Sequence, residues 1–111
     1  MSQLSNFLRT YRKRSGFSQV EVAFLLGVHD GPKVCWHERY AGRPSLRNGL
    51  AYEVIFRTPA RQLFKGMYQK VEQEVERRAA VLKNKLSKAK PSRTTARRLA
   101  ALETITQHHE S

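Results

Sequence analysis

The chain has 111 residues, enough for one compact domain and an appendage. Its 21 Lys and Arg residues outnumber 9 Asp and Glu residues, and the formal net charge of +12 favours a polyanionic partner, either nucleic acid or an acidic membrane surface. One cysteine excludes an intramolecular disulfide, no apolar run is long enough to span a membrane, and no leader pattern opens the chain, so we expect a cytoplasmic protein.

The N-terminal pattern predicts an amphipathic helix. Apolar residues recur at spacings of three and four from Leu4 to Tyr11. The basic run 12–14 follows, where cations favour a helix C-terminus, and Ser15-Gly16 ends the pattern.

A second helix is predicted over 19–26. Ser18 lies three residues before Glu21, the spacing of a capping box, and Gly27 suits the left-handed conformation that ends a helix. The apolar face is expected to consist of Val20, Ala23, Phe24, Leu25 and Leu26.

A turn at 28–31 then leads into a third predicted helix. Pro32 is expected as the first residue of this third helix, which is predicted to run to about Tyr40. We expect Val34 and His37 to face inward.

Two further helices complete the predicted N-terminal domain. Ser45 is expected to cap the fourth, and Thr58-Pro59 to restart the chain into a short fifth helix with Leu63 and Phe64 as its apolar residues. The apolar positions assigned to the fourth helix are Leu46, Leu50, Ala51, Val54, Ile55 and Phe56.

Beyond Gly66, which is expected to break or bend the path, one long helix is predicted. Its thin apolar face consists of Tyr68, Val71, Val75, Leu82 and Leu86. A linker after Lys88 precedes a last weak helix, for which Thr94 or Thr95 is the expected cap. The predicted division is therefore a domain at 1–65, a long helix at 66–88, and a basic linker with a weak helix at 89–111.

Two short helices joined by a tight turn are typical of a helix-turn-helix. The residues that carry a family pattern are Ser18, Gln19, Glu21, Ala23, Leu26, Gly27, Val28, Val34, Glu38, Arg39, Gly42, Arg43, Pro44, Ser45 and Leu46. This pattern resembles the Xre/lambda-repressor-like (Cro/C1-type) helix-turn-helix family of transcriptional regulators, over about 4–64. The resemblance implies an all-α, five-helix DNA-binding domain whose third helix enters the major groove.

The resemblance also assigns candidate roles to residues. Those expected at base edges are Asp30, Gly31, Lys33 and Trp36. Those expected at phosphates are Ser18, Gln19, Arg39, Arg43 and Arg47. Arg12 and Glu38 are expected to form a structural pair that holds the third helix against the first.

The chain departs from the family pattern in two places. One residue more than usual separates Gly27 from Glu38, and Trp36 stands where a polar or basic residue is more common. Tryptophan cannot make the bidentate contact that arginine makes to guanine, and so the bound sequence is left open.

These patterns predict a repressor that binds double-stranded DNA as a homodimer, nucleoid-associated when bound. No enzymatic activity, cofactor or metal is expected, because no catalytic arrangement is visible and the spacing of His29, Cys35 and His37 matches no zinc pattern.

Other interpretations stay open at this point. One is an antitoxin-type interaction module that holds a protein partner through 67–88. The same helix, predicted over 66–88, could instead mediate dimerisation or fold back on the domain. Others are a packed Trp36, a redox role for Cys35, and RNA or membrane-surface binding through the basic helix. The charge run 83–98 is typical of a solvated tail, or of a DNA contact without sequence preference.

Overall fold

A computed structural model of the chain describes residues 6–28, 31–39 and 44–107, and every regular element within these ranges is an α-helix. The helices in this part of the chain are α1 Leu8–Ser15, α2 Gln19–Leu26, α3 Gly31–Glu38, α4 Leu46–Phe56, α5 Ala60–Leu63, α6 Lys65–Ser87 and α7 Arg93–Gln107. The predicted all-α class is therefore confirmed for the described residues. Sequence-based predictions at Leu4, His29, Asp30, Tyr40, Gly42 and Arg43 fall outside them.

The predicted ends of α2 are confirmed. Ser18 Oγ accepts a hydrogen bond from the Glu21 amide at 3.0 Å, and Glu21 Oε1 accepts one from the Ser18 amide at 2.8 Å. Gly27 closes the helix at φ 83°, a left-handed conformation that a residue without Cβ adopts at little cost. The capping box and the terminal glycine fix the length of this helix.

Three predicted boundaries were wrong. Gly31 rather than Pro32 is the first residue of α3, and Gly66 lies inside α6 without breaking it. The last helix is capped by neither threonine, because Ser92 Oγ accepts a hydrogen bond from the Thr95 amide at 3.0 Å. Serine is among the preferred N-cap residues, and here it precedes the helix that begins at Arg93.

Backbone contacts divide the chain into two compact units, residues 1–68 and 69–111. The first unit has one apolar core, in which α1 to α5 meet. The buried side chains of this core are Leu8, Val22, Ala23, Leu26, Val34, Tyr52 and Leu63.

The predicted apolar faces of α2 and α4 were partly wrong. In α2 the exposed fractions of Val20 and Phe24 are 69% and 80%, and Val22 is buried in their place. In α4 Leu46, Leu50 and Val54 are exposed, whereas the core receives Tyr52. Both helices are apolar on most sides, and tertiary contacts therefore decide which side is buried.

The second unit contains most of α6 and all of α7. Ala79 and Leu102 are its buried apolar side chains among the described residues, and Lys83 Nζ donates a hydrogen bond to Glu103 Oε1. Side chains along α6 that stay exposed include Val71, Val75 and Leu82 at 43–47%. Across the described residues, the helices fall short of the length or the apolar character needed to cross a membrane.

Candidate nucleic-acid interface

Helix α3 has one buried and one exposed side. Val34 and His37 are buried, as predicted, and Glu38 lies with them. Lys33, Trp36 and Arg39 are exposed, and the exposed fraction of Trp36 is 58%. An exposed tryptophan in the C-terminal half of a short helix offers a flat apolar surface to a partner.

A network of hydrogen bonds at Glu38 holds the C-terminal end of α3. Arg12 Nε donates to Glu38 Oε2 at 2.5 Å and Nη2 donates to Oε1 at 3.3 Å, which brings the two predicted partners together. Gln19 Nε2 donates to the same Oε1 at 3.2 Å. A third Arg12 nitrogen, Nη1, donates to the Phe17 carbonyl at 3.0 Å. The carboxylate of α3 is thus bound to both α1 and α2, and the Gln19 side chain predicted at a phosphate lies in this network.

Two residues that the sequence reasoning missed hold the same end of α3. Tyr52 Oη lies 2.8 Å from His37 Nδ1 in a buried hydrogen bond, and the two rings meet edge to face at 5.7 Å. Asn6 Nδ2 donates to the His37 carbonyl at 2.9 Å, while Asn6 Oδ1 accepts from the Leu8 amide at 3.0 Å. Both act through polar atoms, which apolar periodicity does not reveal.

Burial sets the charge states at this contact. Desolvation, with a smaller effect from the nearby Lys33 charge, lowers the pKa of His37 and favours the neutral ring. Desolvation, followed by the Glu38 charge, raises the pKa of Tyr52, which stays a neutral phenol. The contact between α3 and α4 is therefore uncharged at neutral pH.

The remaining candidate phosphate residues are found in different roles. Ser18 Oγ serves the α2 cap. Arg47 Nη1 donates to the Leu26 carbonyl at 2.8 Å, so this guanidinium supports the C-terminal end of α2. Arg39 is exposed next to the α3 network, and Arg43 lies outside the described residues.

Gly31 places the start of α3 against α2. A Cβ at this position would lie 3.3 Å from Cγ2 of Val20, closer than ordinary van der Waals contact. The small residue therefore permits a close approach of the two helices. Asp30, the candidate base-contact residue that precedes α3 in the sequence, is outside the described residues.

A polar cleft of about 680 Å³ opens beside the Glu38 network. Its lining residues are Asn6, Arg9, Thr10, Arg12, Gln19, Cys35, Glu38 and Arg39. Three arginines against one carboxylate give the cleft a basic character, which suits an oxyanion such as a backbone phosphate. Cys35 is partly buried in this lining.

Within the described ranges, no group of three or more His, Cys, Asp and Glu side chains is placed to hold a metal ion. Comparisons of the chain with models of protein families, with curated proteins and with solved structures find no match.

Proposed function

We propose that the chain is a sequence-specific DNA-binding transcriptional regulator, acting as a repressor, which reads the major groove of double-stranded DNA with α3. The observation that carries the proposal is the two-sided construction of α3. Its inner side is bound through Glu38 and His37, whereas Lys33 and Trp36 project outward from a chain of net charge +12. A rigidly held helix with exposed polar and aromatic side chains suits base readout in a groove wide enough for one helix.

The exposed cations have a separate role in the proposal. Arg39, at the end of α3, and Arg9, in the cleft, are suited to the sugar–phosphate backbone, where contacts set affinity and orientation rather than sequence. Lys33 and Trp36 carry the sequence preference. The proposal therefore separates residues of general affinity from residues of specificity, and no step of catalysis is part of it.

Selection of bound duplexes from a random pool tests the proposal. We expect recovery of a palindromic sequence, because two copies of the chain would place two α3 helices in successive major-groove faces about 34 Å apart. Recovery of unrelated sequences, with affinity that depends only on salt, would leave a nonspecific binder.

A pair of matched variants makes the test specific to α3. Trp36→Ala and Phe24→Ala each remove one exposed aromatic side chain without a change in charge, at 58% and 80% exposure. We expect Trp36→Ala to weaken binding to the selected duplex by about 5- to 150-fold, as for loss of a base contact worth about 1–3 kcal/mol. Phe24→Ala should leave it within about twofold. Equal effects of the two variants would contradict readout by α3.

The exposed apolar side chains of α6 favour a second candidate function, an antitoxin-type interaction module with autoregulatory DNA binding. Val71, Val75 and Leu82 each expose more than two fifths of their surface. Either a second copy of this chain or another protein could bury them. Analytical ultracentrifugation of the purified chain separates the two: a dimer supports the homodimeric regulator, and a monomer at micromolar concentration supports the interaction module.

A further inference from the structure

Residues 77–102 form a stretch of one charge sign in the second unit. It contains nine Lys and Arg residues and neither Asp nor Glu. We call it the basic segment. The structure gives it a helical form: it covers the C-terminal part of α6, the connection 88–92 and the first ten residues of α7. Seven of the nine cations are therefore displayed on helices, and Lys88 and Lys90 lie in the short connection between them.

The cations of the basic segment point to solvent. All but Lys83 are exposed, and Lys83 binds Glu103, the first acidic residue after the segment. An ordinary solvated helix surface mixes both signs, as the earlier part of α6 does with Lys70, Glu72, Glu74 and Glu76. The change from mixed to single sign at position 77 calls for a partner that carries many negative charges.

The local arrangement is unfavourable for the isolated chain. Arg93 and Arg97 stand four residues apart on α7, where like charges repel. The first turn of α7 contains no acidic residue, and Arg93 opposes the positive end of the helix dipole there. A polyanion would relieve both effects at the same positions.

We propose that the basic segment is a second DNA-binding surface, which binds the phosphate backbone of duplex DNA without sequence preference. The inference rests on the proposed function for the choice of DNA as the partner. B-DNA carries one negative charge per about 1.7 Å of its axis, a density that many exposed cations can match together. An acidic membrane is disfavoured, because the segment contains no aromatic residue to insert into a lipid interface.

The salt dependence of binding to a duplex of arbitrary sequence tests this surface. The test variant is Lys88→Gln/Lys90→Gln/Arg97→Gln, and the matched control is Lys65→Gln/Lys70→Gln/Arg61→Gln, since both remove two exposed lysines and one exposed arginine. We expect the magnitude of the negative slope of log affinity against log salt to decrease by about 2 to 3 for the test variant, because each phosphate contact contributes about 0.9. The control should change it by less than about 1. Equal changes in the two variants would overturn the proposal.

A charge-retaining variant removes loss of structure as an explanation. Lys88→Arg/Lys90→Arg/Arg97→Lys keeps every charge, and its slope should match that of the unaltered chain. A smaller magnitude of the slope here as well would overturn the proposal. Circular dichroism of all three variants verifies that their helix content is equal.

Two further titrations test which phosphate-bearing partner the basic segment prefers. Single-stranded RNA and vesicles of phosphatidylcholine and phosphatidylserine at 4:1 are titrated at the same salt as the duplex. Tighter binding to the duplex than to both supports the proposal, and tighter binding to either overturns the choice of DNA. The probe duplex has no operator, so failure of α3 to select a sequence would defeat the proposed function and leave this measurement intact.

Discussion

Glu38 lies where three helices meet. Its carboxylate accepts hydrogen bonds from Arg12 of α1 and Gln19 of α2, and only 3% of its side chain is exposed. Glu38→Ala leaves the Arg12 guanidinium, itself only 13% exposed, without its anionic partner. We expect the free energy of unfolding to fall by about 3 kcal/mol, as for removal of one member of a buried pair. Urea unfolding followed by circular dichroism measures this loss.

Two variants serve as controls for the Glu38 prediction. Glu103→Ala removes the carboxylate of the pair with Lys83, whose side chains are each more than two fifths exposed, and its effect should be much smaller because solvent screens that pair. The double variant Arg12→Met/Glu38→Leu should lose less stability than Glu38→Ala, since no charge is left buried alone. If Glu38→Ala destabilises no more than Glu103→Ala, the pair does not hold α3.

His37 makes the stability of the first unit depend on pH. Its pKa in the folded chain is lowered, mainly by burial and also by Lys33, whereas the unfolded chain keeps the ordinary value of 6.5. Below about pH 6.5 the unfolded state therefore binds more protons, and stability is lost as the pH falls towards the lowered folded pKa. Above pH 7 the neutral His37 ring keeps its contact with Tyr52 in full.

A comparison of the unaltered chain with His37→Gln isolates this effect. The urea midpoints of the two proteins are measured at pH 8, 7, 6 and 5. We expect the advantage of the unaltered chain to be largest at pH 8 and to shrink as the pH falls, because glutamine does not titrate. Parallel curves over this range would show that His37 is not the group responsible.

Two side chains of α2 test which face of this helix packs into the core. Leu26 is fully buried in the core, whereas Phe24, two residues earlier, exposes 80% of its surface. Leu26→Ala should lower the free energy of unfolding by about 3 kcal/mol, within the range of buried leucine truncations. Phe24→Ala should change it by no more than about 0.5 kcal/mol, as at an exposed site. A larger loss for Phe24→Ala than for Leu26→Ala would show that the opposite face of α2 is buried. Thermal and urea unfolding both measure this loss.

Local chemistry made parts of the fold predictable from sequence. The capping box of Ser18 and Glu21 and the left-handed Gly27 depend on a few neighbouring residues, and the structure has them as predicted. In α3 the inward positions of Val34 and His37 could be assigned because the two residues lie three positions apart and so share one face of a helix.

The buried faces of α2 and α4 could not be predicted in the same way. Six of the eight residues of α2 are apolar, so periodicity does not distinguish Val22 from Val20. In α4 the core position belongs to Tyr52, whose hydroxyl pairs with His37, a residue fifteen positions away. Such choices depend on contacts between residues that are distant in sequence. For the same reason, the roles of Asn6 and Tyr52 at the candidate site could not be predicted.

Burial is unequal between the two units of the whole molecule. Among the described residues, 1–68 bury seven apolar side chains in one core, whereas 69–111 bury Ala79 and Leu102. Regions with few buried contacts open more readily than a packed core. We expect amide hydrogen exchange to be roughly tenfold or more faster in α7 than in α2 and α4. Exchange followed by peptide mass spectrometry measures this difference, and uniform protection along the chain would contradict it.

Amide hydrogen exchange also tests whether two copies of the chain associate through α6. If two copies of the chain cover Val71, Val75 and Leu82, protection of α6 should rise with protein concentration, because association stabilises only the bound form. Protection of α7 should then change less, since the large exposed apolar side chains described in the second unit lie on α6. Samples at 1 and 50 μM provide the comparison. Protection of α6 that is equal at both concentrations, in a chain that sediments as a monomer, would remove the homodimer from the proposed mechanism.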